Sequence, residues 1–232
     1  MLDLPATSRR YLKIARSLAQ QINDGTYKTG DRLPPERELS VQLEASRTVV
    51  REALLALEIM HFVEIRGGAG VFVLPENLRD HTYGELAQVD EIGPWDVLEA
   101  RRSIEAQTAF SAALRGTEEV LTEIKQSIER MESAISDIPR FDAADAEFHS
   151  LIAQASGNSV FETYVAHLWK MRQSALWNTW YDKTRTPQNR IRSVEDHLAI
   201  YQAIKRGQPD VAKTAMEAHL DVLAKRFFEL NL

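Results

Sequence analysis

Ser46-Arg47-Thr48-Val49-Val50-Arg51-Glu52-Ala53-Leu54, continued to Met60, is the stretch on which the fold turns. Ser46 suits a helix N-cap. At 3.6 residues per turn, Val49, Val50, Ala53, Leu57 and Met60 gather on one side. Arg47 and Arg51, one turn apart, face the other way with Thr48 beside them. A helix start bearing two guanidiniums and hydroxyls suits insertion into a DNA major groove, where arginine pairs with guanine O6 and N7. Glu52 and Glu58 lie near the same face, so a merely solvated face is the alternative for this helix alone.

The flanks support the DNA reading. Upstream, Leu12, Ile14, Ala15, Leu18, Ala19 and Ile22 give Arg10–Asn23 an amphipathic helical period, stopped by Asn23-Asp24-Gly25. Leu33-Pro34-Pro35 then enters a short helix over Glu36–Glu44, with acidic residues at its positive end. Downstream, Phe62–Ile65 and Val71–Leu74 flank Arg66-Gly67-Gly68-Ala69-Gly70, a hairpin with a glycine-rich tip. Helix, helix, short turn, helix and hairpin is the order of a winged helix-turn-helix, expected over residues 1–75.

The rest of the chain reads differently. A weakly patterned linker is expected over 76–94. Beyond it helical periods run through Trp95–Arg115, Glu118–Ile138, Phe141–Ala155, Val160–Trp180, Asn189–Arg206 and Pro209–Leu230, an all-α bundle over 95–232. The 232 residues carry 28 Lys+Arg against 34 Asp+Glu, a net charge of −6. Residues 1–80 are neutral, with 11 basic and 11 acidic side chains, so the acidity belongs to the second region. A neutral head permits DNA binding only if its basic residues share a face. The chain has no cysteine, which excludes disulfides, thiol nucleophiles and Cys-based metal sites. With no long apolar run and a charged start, a soluble cytoplasmic protein is expected.

Among the six histidines, His149 follows Asp145 by four residues on one helix face, while His197 and His219 sit among apolar helix positions. One carboxylate and three neutral imidazoles converging in a bundle would bind zinc, nickel, manganese or a similar divalent ion and leave coordination positions open. Taken singly, each residue also fits a hydrogen-bonded core or a helix-surface pair. The sequence contains no His-Glu-x-x-His, Gly-x-Ser-x-Gly or Gly-x-x-x-x-Gly-Lys-Ser/Thr, so no enzyme motif is present.

Leu33-Pro34-Pro35-Glu36-Arg37-Glu38-Leu39, Ser46–Leu54 and Gly67-Gly68-Ala69-Gly70-Val71-Phe72-Val73 resemble, in order and spacing, the GntR family of bacterial transcription regulators. The second region is similar to the FCD effector domain of the FadR branch, through Glu99-Ala100-Arg101, Glu105, Asp145, His149, Ser156-Gly157-Asn158, His197 and His219. The resemblance implies a mainly α protein with a winged head and a six- or seven-helix FCD bundle. It implies DNA contacts at Arg37, Ser46, Arg47, Thr48 and Arg51 and a wing tip at Gly67 and Gly68. It makes Asp145, His149, His197 and His219 the metal ligands, zinc first, with nickel or manganese as alternatives. Arg101 matches the arginine that holds a small carboxylate or hydroxy acid, its other role being an ion pair with Glu99 or Glu105. Arg172 and Trp177 are further candidates to line a cavity.

The sequence departs from the family pattern at Glu44-Ala45, where Gly-Val is usual, and at His61, where Gly is usual. The implied function is a homodimeric repressor on a palindromic DNA operator, sensing a metal-assisted organic acid. Similarity of the head to hexuronate-responsive regulators points to a sugar acid. The rival readings are a metal-dependent enzyme on the Asp/His cluster, and a regulator whose ion is structural or is itself the signal.

Overall fold

A computed structural model describes residues 10–78 and 92–228. The expected linker falls mostly outside the described residues. Two compact units divide the chain. The first runs to Trp95 and also takes in Gln173–Lys183 and Phe228, and the second comprises Asp96–Arg172 and Thr184–Phe227.

In the first unit α1 (Arg10–Asn23) buries Leu12, Ile14, Ala15, Leu18, Ala19 and Ile22, the stripe its periodicity predicts, together with Tyr11, and packs on α3 (Arg47–Ile59). Helix α2 (Glu36–Gln42) follows the two prolines, and α3 spans Arg47–Ile59. Ser46 caps α3 by accepting from the Val49 N–H at 3.3 Å. Val50, Ala53, Leu54 and Leu57 are fully buried in its inner face. Strands β1 (Val63–Arg66) and β2 (Gly70–Val73) pair antiparallel, from Val63 opposite Val73 to Arg66 opposite Gly70. Arg32 bridges to Phe72, so the loop before α2 lines the far edge of β2. Glu44 and His61 both take positive φ, 49° and 56°. Each non-glycine residue there costs on the order of 1 kcal/mol, the strain expected where the family pattern has glycine.

The second unit is built from α4 (Pro94–Arg115), α5 (Glu118–Ser133), α6 (Ile138–Ala155), α7 (Ser159–Met171), α9 (Pro187–Lys205) and α10 (Pro209–Phe228). Helix α5 packs on α6 and α9, and α6 packs on α7. The Ser156-Gly157-Asn158 corner works as its composition requires: Gly157 takes φ 64°, and Asn158 caps α7 by accepting from the Val160 N–H at 3.0 Å. One expectation fails here. The single helix read over Val160–Trp180 is two, α7 and α8 (Ala175–Thr184). Ser174 accepts from the Trp177 N–H at 3.1 Å, a side-chain cap that restarts the helix without glycine or proline. Helix α8 groups with the first unit up to Lys183, where the Lys183 ammonium donates to Glu58 Oε1 at 3.0 Å. Among the described residues no helix is long and apolar enough to cross a membrane.

Candidate functional site

The head presents its basic residues around one buried carboxylate. Glu36, 3% exposed, accepts from Arg47 Nε through Oε1 and from Arg51 Nε through Oε2, both at 2.6 Å. Arg47 remains largely exposed, whereas Arg51 is buried, with its guanidinium carbon 5.2 Å from the Phe228 ring centroid. Burial lowers the pKa of Arg51, against which Glu36 acts to hold its charge. Arg37, Ser46, Gly67 and Gly68 are exposed and Thr48 is half-buried, bonded through its hydroxyl to Ser46 at 2.8 Å. A Glu36→Ala change would strand the Arg51 charge without its buried partner. It is expected to lower stability by about 3 kcal/mol, read as a fall in the urea or thermal unfolding midpoint. An unchanged midpoint would mean that Arg51 finds another partner.

In the second unit, Asp145 and His149 come from α6, His197 from α9 and His219 from α10, and all four side chains are buried. Nitrogens of the three imidazoles lie within 4.8 Å of one another. His197 Nε2 is 3.2 Å from His219 Nε2 and 3.5 Å from Asp145 Oδ1, which is 3.6 Å from His149 Nε2. Donors about 2.1 Å from one ion stand about 3.0–3.4 Å apart, so the set fits a divalent cation with little adjustment.

The opposite ring edges face two carboxylates and a thioether, the carboxylates being the kind of partner that metal-bound histidines use. His149 Nδ1 meets Glu105 Oε2 at 2.5 Å, His219 Nδ1 faces Asp196 Oδ2 at 3.5 Å, and His197 Nδ1 lies 3.3 Å from Met131 Sδ. Burial and the neighbouring His219 push the pKa of His197 well below the imidazole range, and burial also lowers that of His219. Both rings are therefore neutral. His149 differs: burial opposes its charge, but Glu105 and Asp145 outweigh burial and raise its pKa. Asp145 stays ionised, because His149 and Arg172 overcome the penalty of burial.

Arg101, on α4, is 1% exposed and pairs bidentately with Glu105, Nε to Oε1 at 2.6 Å and Nη2 to Oε2 at 3.2 Å. Of the two roles considered for Arg101 the structure shows the ion pair with Glu105; its Nη1 is buried with no partner among the described residues. Arg172, which ends α7, donates to Asp145 Oδ2 at 3.3 Å, the oxygen turned away from the imidazoles. Trp177 does not join this group; it packs against Trp180 in the first unit. Glu105 as the partner of His149, together with Asp196, Met131 and Trp169, escaped the sequence reading. Asp196 precedes His197 directly, the one cue available.

A winged head of this kind, joined in one chain to a helical bundle with a buried histidine cluster, is the arrangement of a ligand-responsive transcription regulator. The chain belongs to the GntR family of bacterial regulatory proteins: that family's model matches residues 10–73, and the FCD domain model matches residues 96–222. It is 33% identical over 227 residues to the Uxu operon regulator of Haemophilus influenzae, covering 97% of this chain and 84% of that protein. It is 31% identical over 226 residues to the Exu regulon transcriptional regulator of Escherichia coli, covering 95% and 85%. Among solved structures, E. coli McbR/YncC superposes with a TM-score of 0.52 at 20% identity, over 94% of this chain and 96% of that one, a likeness of fold.

Proposed function

We propose that this regulator is a homodimeric repressor of a sugar-acid operon. Arg37, Ser46, Arg47, Thr48 and the Gly67-Gly68 tip read two half-sites of a pseudo-palindromic operator, since operator symmetry mirrors that of the dimer; Arg51, expected among the contacts, is instead buried on Glu36 and braces the start of α3 behind Arg47. Asp145, His149, His197 and His219 hold a divalent ion, zinc for preference, and Arg101 takes the carboxylate of a hexuronate or related acid. The observation that carries this reading is the convergence of Asp145 Oδ1 with the three imidazoles beside a buried arginine that keeps an unpaired N–H. Similarity to the Uxu and Exu regulators favours a hexuronate.

Arg101 is matched by Glu105 and Arg172 by Asp145, so the two arginines and two carboxylates balance. A bound divalent ion would supply Lewis-acidic positive charge to the oxygens of the acid. Its added charge in buried surroundings is offset by an anion, so binding of ion and acid is coupled, and the coupling is reciprocal. For the acid to control DNA occupancy, the states competent and incompetent for DNA must differ in affinity for it.

The test is elemental analysis of gently purified protein, with melting and operator-binding measurements in D-glucuronate and D-galacturonate. We expect about one ion per chain, a higher melting point with one of these acids, release of operator DNA, and loss of both responses after chelation. Absence of metal after titration with zinc, nickel and manganese would reduce the four ligands to core polar residues. Operator affinity that responds to metal alone would make the ion itself the signal.

A further inference from the structure

Trp169 is the side chain of this site that the regulator reading leaves without a task. It lies on α7, one turn before Arg172, and its ring centroid is 5.1 Å from that of His149. Two guanidiniums stack against it, Arg172 with Cζ 3.7 Å from the ring centroid and Arg101 with Cζ at 4.6 Å. Both arginines also pair with carboxylates of the cluster, so the indole is clamped to the ligand set through Glu105 and Asp145. Its Nε1 is buried and has no hydrogen-bond partner among the described residues. A buried N–H without an acceptor costs about 1–3 kcal/mol, and cations over the ring face draw density from it and strengthen the N–H as a donor.

The unpaired group nearest in kind is Arg101 Nη1, the donor already assigned to the acid. Indole nitrogen and guanidinium nitrogen can only donate. An occupant that pairs with both of these buried donors must therefore bring acceptor oxygens.

Resting on the metal-and-acid reading above, we propose that the Trp169 N–H is a specificity-determining ligand contact. It donates to an oxygen of the acid other than the one held by Arg101, and so selects carboxylic acids that carry a further hydroxyl or carbonyl oxygen. A site that hydrogen-bonds such an oxygen discriminates strongly against an analogue lacking it, because its own donor is then left unpaired. Trp169 takes no part in holding the ion.

The test follows the four indole N–H cross-peaks of the zinc-loaded, full-length protein in a ¹H–¹⁵N spectrum as D-galacturonate or D-glucuronate is added. Trp169→Phe, which keeps the stacking surface, identifies the peak. Replacing zinc with manganese provides a second identification in the unaltered protein, since the indole nearest the histidines broadens most. The Trp169 proton is expected to move downfield by about half a ppm or more, as an N–H does on gaining a charged acceptor. Trp169→Phe is expected to bind the same acid about tenfold more weakly with unchanged zinc content. An unmoved Trp169 peak on saturation overturns the inference, as does equal affinity in the variant, and either leaves the acid-sensing reading intact. If neither uronate binds the zinc-loaded parent, the hexuronate reading fails and this inference with it.

Discussion

A His197→Ala variant is expected to purify with less than about one-tenth of an ion per chain, against about one in the parent. His197 Nε2 lies 3.5 Å from Asp145 Oδ1 and 3.2 Å from His219 Nε2, so its loss removes the donor that stands between them. Removing a hydrogen-bond partner of a ligand costs metal affinity about 10–100-fold, and loss of a direct ligand exceeds that. Truncating a ring stacked on Phe148 at 4.2 Å also costs about 2–5 kcal/mol of packing. Chelation separates the two effects: it should lower the melting point of the parent and leave that of the variant unchanged. A variant that still binds one ion tightly would remove His197 from the ligand set.

The same site predicts the pH dependence of metal uptake. His197 and His219 have lowered pKa values and carry no proton to displace, whereas His149, with its raised pKa, holds one against Glu105 and Asp145. Below the folded pKa of His149, affinity should therefore rise about tenfold per pH unit, and level off above it. Below that pKa about one proton should be released per ion. Calorimetry in buffers of different ionisation enthalpy counts it. Release of two or more protons would mean that His197 or His219 is charged before the ion arrives.

Arg47→Ala is the second change expected to have a large effect, this time on operator affinity. Arg47 is the exposed guanidinium of α3, the helix proposed to read the operator, and it pairs with Glu36. Loss of a base contact costs about 1–3 kcal/mol. In the proposed dimer the contact is lost twice, so operator affinity should fall about 10²–10⁴-fold, with relaxed preference at two symmetric base positions. Arg37→Ala is the control. As a phosphate contact its loss would weaken binding to all sequences alike and reduce the salt slope by about one per half-site. A gel-shift series over salt concentration and base-substituted operators distinguishes the two. Equal weakening on every sequence in Arg47→Ala would make that residue a backbone contact.

Arg51 shows where a helical projection runs out. Projected from α3 it faces the DNA side with Arg47, yet its guanidinium lies buried on Glu36, fifteen residues earlier. No spacing rule relates those two positions; the turn between α2 and α3 brings them together. The break between α7 and α8 was hidden for a different reason. It rests on one serine cap, a local interaction that competes with continued helix and leaves hardly a mark in the apolar period.

What the sequence by itself determined was everything that depends on short range and on order along the chain. The stripe of α1, the cap at Ser46, the glycine-tipped hairpin and the placing of Asp145, His149, His197 and His219 on three helices all follow from periodicity, capping and motif. Only the tertiary structure decided which atoms face one another. It turned the Nε2 atoms of three imidazoles inward by giving their other edges to Glu105, Asp196 and Met131. It split Arg101 between a carboxylate and an unpaired N–H, and it set Trp169 between two guanidiniums. A hydrogen bond fails over a few tenths of an ångström. Distances that fine between α4, α6, α7, α9 and α10 exist only once the helices have packed.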